Sequence, residues 1–517
     1  MKGVVFACNS LWVLSCYPSY LRFLRGCEDL KKTQTSILLR IIKRNRDTEI
    51  GRLFGFEKIN SPEDYRKKVP LTSYKFYAPY IEKICRGEKQ VLTREKVLLL
   101  EPTGGSTAPS KLIPYTPSLH REFLSGISPW IYTLYTKRPG LLAGKSYWAI
   151  TSLSGYEKRC RVPVGFREDT SYLGNAGKFF ISPTLAVPSS TILSRNLEEA
   201  LYLTAFYLLR EENLVLISVW SPSFLLLLLE RIKKYREKLL SELRKFSPHR
   251  ARWVEKCLDR ERYHLIWKKL SLISCWTQGW ASRFLPELKR VFPGVEIQGK
   301  GLIATEGFVT FPWRDGYVLS VNSHFFEFLK NGESYFAWEL REGEKYSVII
   351  TTGGGLYRYM LGDVVEVTGF YKGVPMLEFV EKEMVCDMVG EKLNAFHVEK
   401  SIKEALDKFS ISSSFYFLAP DEDKGKLFYT LFIETDNIPQ GFVDFLERKL
   451  SENYHYRYAR KLGQLAPLRV FLIEKGGMER YIQRKVKSGK KLGDIKPMVL
   501  EKEKGWRETF RGKFLKE

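Results

Sequence analysis

The chain has 517 residues, of which 44% are hydrophobic, 14% aromatic and 27% charged. This is the composition of a globular protein, and the lack of low-complexity tracts and internal repeats excludes a repeat architecture. The net charge of +24 and the pI near 9.5 suggest an anionic partner, such as nucleic acid, a membrane surface or a phosphorylated ligand. The length exceeds what one core usually fills, so a large domain and at least one smaller domain are expected.

The N-terminal segment Gly3–Tyr20 has the apolar character of a signal peptide, with Lys2 ahead of it. Asn9, Ser10 and Trp12 interrupt the apolar run, and no small-residue cleavage site follows. We therefore predict a buried N-terminal helix and no transmembrane segment, because no run reaches the length needed to span a bilayer.

Cysteine and histidine usage bears on location and metals. The eight cysteines have no paired spacing, and the six histidines lie far apart. Neither a disulfide framework nor a zinc site is therefore indicated. A reducing, cytoplasmic location fits this pattern.

The elements of the first part of the chain alternate between strand-like and helical patterns. A helical pattern runs from Leu21 to Asn45, and the alternation that follows it predicts an α/β sheet architecture. The predicted strands are Val97–Leu100, Tyr147–Thr151, Leu214–Trp220, Leu270–Trp276 and Ser347–Thr352. The predicted helices are Leu197–Arg210, Pro222–Phe246 and Ala281–Val291.

A shorter α+β pattern follows Gly369 and indicates a second domain. Its predicted elements are helix His397–Phe409, strands Ser414–Ala419 and Leu427–Glu434, helix Gln440–Asn453 and strand Leu468–Ile473. We place the division after Glu381. The prediction is a large N-terminal domain over residues 1–381 and a small C-terminal domain over residues 382–517.

Positive charge is concentrated between Arg231 and Arg290, where 17 Lys and Arg residues face 6 Asp and Glu residues. Apolar residues recur at helical spacing between these charges, as expected of an amphipathic helix with a solvated basic face. The ordinary explanation is therefore a helix surface, although an anion-binding role stays open.

The stretch PTGGSTAPSK, residues 102–111, follows the apolar run Val97–Leu100. Glycine permits close backbone approach, hydroxyl groups add donors and Lys111 adds charge, so the stretch suits phosphate oxygens. It is not a Walker loop, because Ser110 rather than glycine precedes the lysine. An ordinary surface turn would have the same composition, so these residues alone leave both interpretations open.

Three further stretches carry residues that a nucleotide site requires. CWTQGWA, residues 275–281, ends a predicted strand, and ligands of open α/β sheets lie at strand carboxyl ends. GLIATEG, residues 301–307, offers a carboxylate that could hold magnesium beside phosphates. TTGGGLYRYMLGDVVEVTGFY, residues 351–371, places an aspartate ahead of a strand, where it could accept hydrogen bonds from both ribose hydroxyls. Each stretch alone is weak evidence.

Their order along the chain resembles the adenylate-forming superfamily. The stretch 102–111 resembles its phosphate loop, ATE its Thr-Glu element and LGD its ribose-binding aspartate. Within that superfamily, residues from about 35 to 500 resemble the auxin-responsive Gretchen Hagen three family of acyl acid amido synthetases. The motifs that carry this resemblance are TEIGRLFGFEKI, VPLTSYKFYAPYI, GEKQVLT, SKLIPYT, LYRYMLGDVVEVTGFY, PLRVFLI and SGKKLGDIKP.

This resemblance implies a fold and a reaction. The fold is a large domain of mixed sheets with flanking helices plus a smaller mobile α+β domain. In the reaction a carboxylic acid attacks the α-phosphate of ATP, and an amino acid amine then displaces AMP from the acyl-adenylate. ATP and Mg²⁺ are the implied cofactors, and small carboxylic acids and amino acids are the implied partners of a monomer with no specific nucleic acid.

The resemblance also implies roles for individual residues. The ATP phosphates would be bound by Thr103, Gly104, Gly105, Ser106, Thr107 and Lys111. Glu306 would hold the metal, with Thr305 beside the α-phosphate. The nucleoside would contact Gln278, Gly279, Leu302, Tyr357, Asp363 and Lys382. Catalysis would use Lys496 and Lys392 of the small domain, and the acyl pocket would include His120, Arg121 and Phe123.

The chain departs from the family pattern at three places. Leu302 stands where an aromatic residue would stack on adenine, so apolar contact or a nearby Tyr or Trp would replace that stacking. Ala108 replaces a glycine of the phosphate loop, and Glu381-Lys382 replaces a basic pair at the hinge. None of these changes removes the phosphate, magnesium or ribose groups.

Two alternatives to an amido synthetase stay open. An acyl-CoA ligase of the same superfamily would need a basic patch for the CoA phosphate, which the segment 231–290 could supply. A basic protein that binds nucleic acid or a membrane surface with a degenerate nucleotide fold would instead show steeply salt-dependent binding and no turnover.

Overall fold

The computed structural model describes residues 2–103, 111–149, 160–165, 181–188, 191, 197–382, 385–488, 490 and 495–515. Its α-helices are α1 Lys2–Gly26, α2 Leu30–Asn45, α3 Glu49–Leu53, α4 Pro62–Lys68, α5 Tyr74–Cys85, α6 Pro117–Thr136, α7 Leu197–Arg210, α8 Pro222–Lys234, α9 Arg236–Phe246, α10 Pro248–Asp259, α11 Tyr263–Ile266, α12 Leu285–Val291, α13 Ala395–Lys408, α14 Phe442–Leu450, α15 Tyr454–Lys461 and α16 Gly477–Lys487. The 3₁₀ helices are Phe56–Lys58, Pro139–Ala143, Ser182–Thr184, Gly279–Phe284 and Trp506–Glu508.

The strands complete the mixed α/β architecture. They are β1 Leu99–Pro102, β2 Leu112–Tyr115, β3 Lys145–Trp148, β4 Leu214–Ser218, β5 Leu272–Cys275, β6 Glu296–Gly299, β7 Ile303–Ala304, β8 Gly307–Phe308, β9 Thr310–Trp313, β10 Gly316–Leu319, β11 Phe325–Lys330, β12 Glu333–Phe336, β13 Lys345–Thr351, β14 Tyr359–Tyr371, β15 Val374–Lys382, β16 Val385–Cys386, β17 Leu393–Asn394, β18 Phe415–Asp423, β19 Lys426–Glu434, β20 Arg469–Ile473 and β21 Gly512–Phe514.

The chain forms two compact units, which divide between Val380 and Glu381. The sequence placed this division one residue later. The first unit holds α1 to α12, and the second holds α13 to α16. The predicted class, mixed sheets with helices followed by a smaller α+β unit, is confirmed.

A four-stranded parallel sheet in the order β3-β4-β5-β6 lies in the first unit. Its central strand β4 is buried along its whole length, which explains its continuous apolar sequence. Because all four strands run in one direction, their carboxyl ends meet at one edge, where Trp148, Ser218, Cys275 and Gly299 lie. Such edges are the usual ligand sites of open α/β sheets.

A seven-stranded sheet in the order β12-β11-β13-β14-β15-β10-β9 also belongs to the first unit. Of these strands, the sequence predicted β13 and the part of β14 that follows Asp363. In β14 the register with β13 shifts, so that Leu361, Gly362 and Asp363 lie opposite Val348 alone. Gly362 has a φ of +76°, which glycine adopts without strain, and such a bulge redirects the side chains beside it.

The N-terminal helix α1 is apolar on two faces. Trp12 is buried and packs edge-on against Tyr135 of α6 with ring centroids 5.7 Å apart, whereas Val4, Leu11 and Leu14 are exposed. The prediction of a buried helix therefore holds for one face only. By length and composition the helix could cross a membrane, contrary to the sequence-based prediction, although a core helix or a signal sequence passes the same test.

Two predicted helices are each divided in the structure. The run from Leu21 to Asn45 breaks between α1 and α2, where Asp29 caps α2 by accepting a hydrogen bond from Lys32 N at 2.9 Å. The run from Pro222 to Phe246 breaks at Tyr235, whose ψ of 17° departs from helical geometry. Both breaks lie inside amphipathic patterns that continue across them.

The basic segment 231–290 runs from the end of α8 into α12 and includes β5, and many of its charges are paired. The ion pairs include Arg231–Glu198, Lys233–Glu261, Arg236–Asp259 and Arg244–Glu255. The buried guanidinium of Arg250 donates to three backbone carbonyls. This pairing supports the ordinary explanation of a helical surface.

The second unit has a four-stranded sheet in the order β18-β19-β20-β21. The strands β18 and β19 are antiparallel, β19 and β20 are parallel, and β20 and β21 are antiparallel. The predicted helices and strands of this domain all occur, with boundaries shifted by a few residues.

One disulfide, Cys85–Cys160, joins the end of α5 to a segment 75 residues later in the sequence. Cys8, Cys16, Cys27, Cys257, Cys275 and Cys386 are free. The sequence did not indicate this pair, because its two cysteines have no characteristic spacing.

Arg358 and Glu327 form a buried ion pair between β11 and the turn before β14. The guanidinium Nε lies 3.1 and 3.0 Å from the two carboxylate oxygens, and Nη1 donates to the carbonyls of Arg66 and Val69 at 2.9 and 2.7 Å. Burial raises the pKa of Glu327, although Arg358 opposes this. The pair ties the seven-stranded sheet to the chain after α4.

We expect Glu327→Gln to lower the free energy of unfolding by about 3–5 kcal/mol, because it leaves the Arg358 guanidinium buried without its counter-charge. Glu366→Gln is the matched control, since Glu366 pairs with Lys345 in the same sheet and both side chains are more than one third exposed. That variant should change the free energy by less than about 1 kcal/mol. Urea denaturation of both variants measures the difference, and equal losses would contradict this account.

Candidate active site

The predicted phosphate loop begins and ends on the hairpin β1–β2. Thr103 N donates to the Lys111 carbonyl at 2.8 Å, so the two ends of the loop are fixed to each other. The Thr103 side chain is buried, and its Oγ1 has no hydrogen-bond partner in the described part of the chain. Gly104, Gly105, Ser106 and Thr107 lie outside the described residues.

Lys111, Tyr359 and Glu306 form a chain of polar contacts. Lys111 Nζ donates to the Tyr359 hydroxyl at 3.1 Å, and this hydroxyl donates to Glu306 Oε1 at 3.4 Å. Burial and the neighbouring Glu306 raise the pKa of Tyr359 far above its ordinary value, so the phenol stays neutral and keeps its proton. The structure therefore brings together one end of the predicted phosphate loop and the predicted metal ligand.

Thr305 and Glu306 form the two-residue turn of the hairpin β7–β8. The hydroxyl of Tyr115, at the end of β2, donates to the Thr305 carbonyl at 3.1 Å. The turn is thereby attached to the hairpin that carries the phosphate loop. Glu306 itself is buried, with 7% of its surface exposed.

A buried carboxylate fixes the base of this arrangement. Glu122 of α6 accepts hydrogen bonds from Gly353 N at 3.0 and 2.9 Å and lies 2.9 Å from Nδ1 of His324. Nε2 of His324 accepts from Phe308 N at 2.9 Å, so the hydrogen of the neutral ring is on Nδ1 and points to Glu122. A Cβ at Gly353 would lie 2.5 Å from Glu122 Oε1, which explains the glycine there.

Asp363 lies on the β14 bulge, four residues after Tyr359, and is 5% exposed. The bulge breaks the regular backbone pairing of β13 and β14 at this point. Its predicted contact with ribose stays a prediction.

Gln278 and Gly279 follow the carboxyl end of β5 and pack on β15. Gln278 Nε2 donates to Glu378 at 2.9 Å, and its Oε1 accepts from Phe379 N at 3.1 Å. A Cβ at Gly279, whose φ is +55°, would lie 2.9 Å from the Phe379 ring. Close packing and backbone conformation therefore both call for glycine at this position.

Two of the predicted site residues make other contacts in the structure. Tyr357 is fully buried, and its hydroxyl donates to the Leu92 carbonyl at 2.8 Å. Arg121 is exposed and pairs with Glu95 at 3.1 Å. Successive side chains of α6 point in directions about 100° apart, so Arg121 lies on a different face of the helix from His120 and Phe123. The predicted contacts of Tyr357 with the nucleoside and of Arg121 with the acyl group stay predictions.

The other residues predicted to lie near adenine or the acyl group are buried or half-buried. Leu302 packs in the main core, and its N–H donates to Thr310 Oγ1 at 2.8 Å. Phe123 is buried near Tyr115 and Phe308, and His120 on the same helix is half-buried. Their contact with substrate stays a prediction.

The predicted catalytic lysines belong to the second unit. Lys392 is exposed in the turn between β16 and β17, and Lys496 is exposed directly after the buried Ile495. Lys382 is the last residue of β15, and its side chain lies outside the described part of the structure. Delivery of any of these lysines to a nucleotide stays a prediction.

The residues just described fit magnesium only together with a nucleotide. In the described part of the chain, no group of three or more His, Cys, Asp or Glu side chains could hold a metal ion. Magnesium needs only one or two carboxylates when phosphates and water supply its other ligands, so the single carboxylate of Glu306 suits it in that setting.

Sequence reasoning missed three residues of this arrangement. Tyr359 belongs to the Tyr-Arg-Tyr motif, so its position beside the ribose aspartate was a usable signal. Glu122 and His324 are 202 residues apart, and nothing local in the sequence pairs them.

Comparisons with known proteins agree with the geometry. The family models described as GH3 family N-terminal, central and C-terminal domain match residues 20–297, 317–382 and 396–504. The chain is 22% identical to the indole-3-acetic acid-amido synthetase GH3.3 of Arabidopsis thaliana, over 92% of this chain and 91% of that protein. It is also 22% identical to the 4-substituted benzoates-glutamate ligase GH3.12 of Arabidopsis thaliana, over 90% of this chain and 92% of that one.

The fold also matches a solved structure. The GH3.15 acyl acid amido synthetase superimposes with a TM-score of 0.80 at 21% identity, covering 95% of this chain and 94% of that one. The chain therefore has the fold of that solved structure. Because the three matching models together span most of its length, the chain belongs to the GH3 family, the Gretchen Hagen three family that its motifs resemble.

Proposed function

We propose that this GH3 protein is an ATP-dependent acyl acid amido synthetase. It adenylates a carboxylic acid, with release of pyrophosphate, and transfers the acyl group to the amine of an amino acid, with release of AMP. The observation that carries the proposal is the polar chain Lys111–Tyr359–Glu306, which connects one end of the phosphate loop to the metal-binding position. The names of the GH3 relatives support the same reaction class.

The chemistry follows from the charges that this chain can place around phosphate. Thr103, with its buried hydroxyl, and Lys111 would bind phosphate oxygens at the two ends of the loop. Positive charge and hydrogen-bond donors there stabilise the charge that spreads over the transferring phosphoryl group. When bound, Mg²⁺ would neutralise phosphate charge, and Glu306 is the residue that would hold it.

Orientation supplies the rest of the acceleration. A carboxylate oxygen is a poor nucleophile, so holding it in line with the α-phosphate is the main task of the protein. In this proposal Asp363 holds the ribose, Leu302 and Gln278 border the adenine, and Lys496 arrives from the small unit to stabilise the transition state.

The molecule that accepts the acyl group distinguishes an amido synthetase from an acyl-CoA ligase. We expect pyrophosphate release from ATP with indole-, benzoate- or jasmonate-type acids, and amide formation when glycine, aspartate or another amino acid is added. Product formation that requires CoA instead would identify an acyl-CoA ligase. Salt-sensitive binding to nucleic acid or anionic vesicles without any pyrophosphate release would identify a non-catalytic binding protein.

We expect Glu306→Gln and Asp363→Ala each to reduce adenylation by at least about 100-fold, because one loses the metal ligand and the other the ribose contact. Pyrophosphate release measures the effect. The control is Glu366→Gln, which changes another carboxylate of β14, the strand that carries Asp363. Melting temperatures close to that of the parent exclude unfolding as the cause. Normal turnover in both variants would show that the site lies elsewhere.

We expect Tyr359→Phe to slow adenylation by about 10- to 100-fold, since it removes hydrogen bonds to the charged Lys111 and Glu306. The predicted cause is misplacement of these two groups, so Tyr77→Phe, which removes a buried hydroxyl bonded to Tyr357 instead, should affect stability rather than turnover. An unchanged rate for Tyr359→Phe would contradict the role of the polar chain.

We expect Lys496→Ala to slow adenylation while leaving the dissociation constant of ATP within about threefold, because its charge acts in the transition state and not in ground-state binding. Lys487→Ala, at an exposed position of the same unit, is the matched control. Equal effects of the two substitutions would remove Lys496 from the mechanism.

Location and assembly are part of the same proposal. We propose a cytoplasmic monomer, and six free cysteines among the described residues support a reducing location, whereas the Cys85–Cys160 disulfide does not. Fractionation of cells and the mass of the purified protein in solution test these two statements.

A further inference from the structure

Lys300 is a buried cation that has no counter-ion among the described residues. It follows β6 directly and is only 4% exposed. Its Nζ donates to Ser218 Oγ at 2.6 Å, and it forms no ion pair with any carboxylate in the described part of the chain. An ammonium group has three hydrogens, so this single acceptor leaves most of its hydrogen-bonding capacity unused.

Three indole rings surround the amine. Nζ lies 5.1 Å from the ring centroid of Trp130, 5.7 Å from that of Trp148 and 5.0 Å from that of Trp220. Trp130 is buried, whereas the other two are half-buried. Ring faces offset part of the cost of burying a cation, but they do not replace the hydrogen bonds that the ammonium loses from water.

A second unsatisfied polar group lies beside Lys300. Ser218 and Ser274 are register partners in neighbouring parallel strands, so their side chains are on the same face of the sheet. Ser274 is fully buried, and its Oγ has no hydrogen-bond partner in the described residues. A buried hydroxyl without a partner is rare in proteins. In the described residues, an ammonium with one acceptor and a hydroxyl with none therefore lie near each other on one face of the sheet.

The position of this pair favours a ligand rather than a structural role. Ser218, Ser274 and Lys300 lie at or next to the carboxyl ends of β4, β5 and β6, the edge at which ligands of parallel sheets bind. From Lys300 the chain runs through Gly301 directly into the hairpin that carries Glu306. Lys300 therefore lies six residues before Glu306 in the chain, at the sheet edge where a ligand is expected.

The reacting carboxylate is a poor occupant for this position. It must attack phosphorus, and a strong ion pair with Lys300 would stabilise it in the ground state and slow that attack. A second carboxylate at the far end of the acid does not attack phosphorus, so an ion pair with Lys300 would not slow the reaction. Flanking indole rings would pack against an aromatic ring that separates the two carboxylates.

We propose that Lys300 and Ser274 form a subsite for a second carboxylate, and that the acyl acid is an aromatic dicarboxylic acid. This inference rests on the proposed adenylation, since it names the class of acid that is activated. Lys300 donates to the distal carboxylate as an ammonium ion, and Ser274 donates its hydroxyl hydrogen. The proximal carboxylate remains free to react with ATP.

Binding of the second carboxylate should be linked to proton uptake. Burial lowers the pKa of Lys300 to about 7, and the nearby Cys275 opposes this. Among the described residues, Cys275 is the one titratable group that bears on the pKa of Lys300. Burial raises the pKa of Cys275 to about 12, so near pH 7 it is a neutral thiol and supplies no counter-charge. A bound anion raises the pKa of Lys300, so affinity is full below pH 7 and falls as the pH rises above it.

The test compares benzene-1,4-dicarboxylate with benzoate in two assays on the full chain: calorimetric binding without ATP, and pyrophosphate release with ATP. Wild-type protein should bind the dicarboxylate more tightly, with a dissociation constant that rises above pH 7. Lys300→Met should reduce the preference for the dicarboxylate over benzoate by about 10- to 100-fold and remove the pH dependence. Lys345→Met, at an exposed position of the same unit, should keep both.

Ser274→Ala supplies a second variant if Lys300→Met fails to fold. It removes a hydroxyl that has no hydrogen-bond partner in the described residues, so the melting temperature should be unchanged, while the preference for the dicarboxylate should fall by about 3- to 10-fold. Equal losses for both acids, or a wild-type protein that binds the dicarboxylate no more tightly than benzoate, would overturn the proposal. Pyrophosphate release from no acid at all would instead refute the adenylation, and the calorimetric assay would still test the subsite.

Discussion

The hydrogen-bonded carboxylate of Glu122 holds together the parts of the first unit on which the candidate site depends. It accepts from Gly353 at the turn before β14 and from His324, whose other ring nitrogen accepts from Phe308 in the hairpin of Glu306. One side chain of α6, the helix that follows the phosphate loop, thus fixes two other segments. A buried polar group that loses its hydrogen-bond partner destabilises the folded protein. These hydrogen bonds therefore hold α6, the turn before β14 and the hairpin of Glu306 in one arrangement.

Buried charge in the first unit separates into two kinds. Arg358 and Glu327 are hydrogen-bonded to each other, and the guanidinium also donates to two backbone carbonyls and to Ser334 Oγ, so this pair is complete without any ligand. Lys300 is equally buried but lacks an anionic partner in the described residues. Because its hydrogen bonds are satisfied within the protein, the Arg358–Glu327 pair has a structural role. In the described part of the chain, Lys300 has unused hydrogen-bond donors and is therefore a candidate for binding a ligand. The same contrast separates Tyr357, which is bonded within the core, from Tyr359, which faces Glu306.

The local pattern of apolar residues predicted those helices and strands whose burial is visible in their own sequence. Helix α7 was predicted to the residue, because its apolar periodicity runs unbroken from Leu197 to Arg210. Strand β4 was found because a strand buried on both faces has a continuous apolar sequence. The seven-stranded sheet was largely missed, since its strands are stabilised by partners that are distant in sequence. The breaks at Asp29 and Tyr235 were missed because the apolar pattern continues across both.

The site divides in the same way. The order of the motifs along the chain predicted Lys111, Glu306 and Asp363 as site residues. In the structure, hydrogen bonds through the Tyr359 hydroxyl connect Lys111 to Glu306. Arg121 was assigned by its closeness in sequence to the phosphate loop, yet helix geometry turns it to the surface. Ser274 lies on β5 and Lys300 directly follows β6, and only the pairing of these two strands reveals that the two side chains lie close to each other.

The central claim is that distant parts of the first unit enclose one molecule of ATP, and a crystal structure with a non-hydrolysable acyl-adenylate analogue tests it most directly. The account predicts a single bound nucleotide, with Thr103 and Lys111 at its phosphate, Glu306 within metal-bridging reach of that phosphate and Asp363 hydrogen-bonded to its ribose. An analogue bound elsewhere, or one that leaves Glu306 and Asp363 in separate cavities, would contradict it.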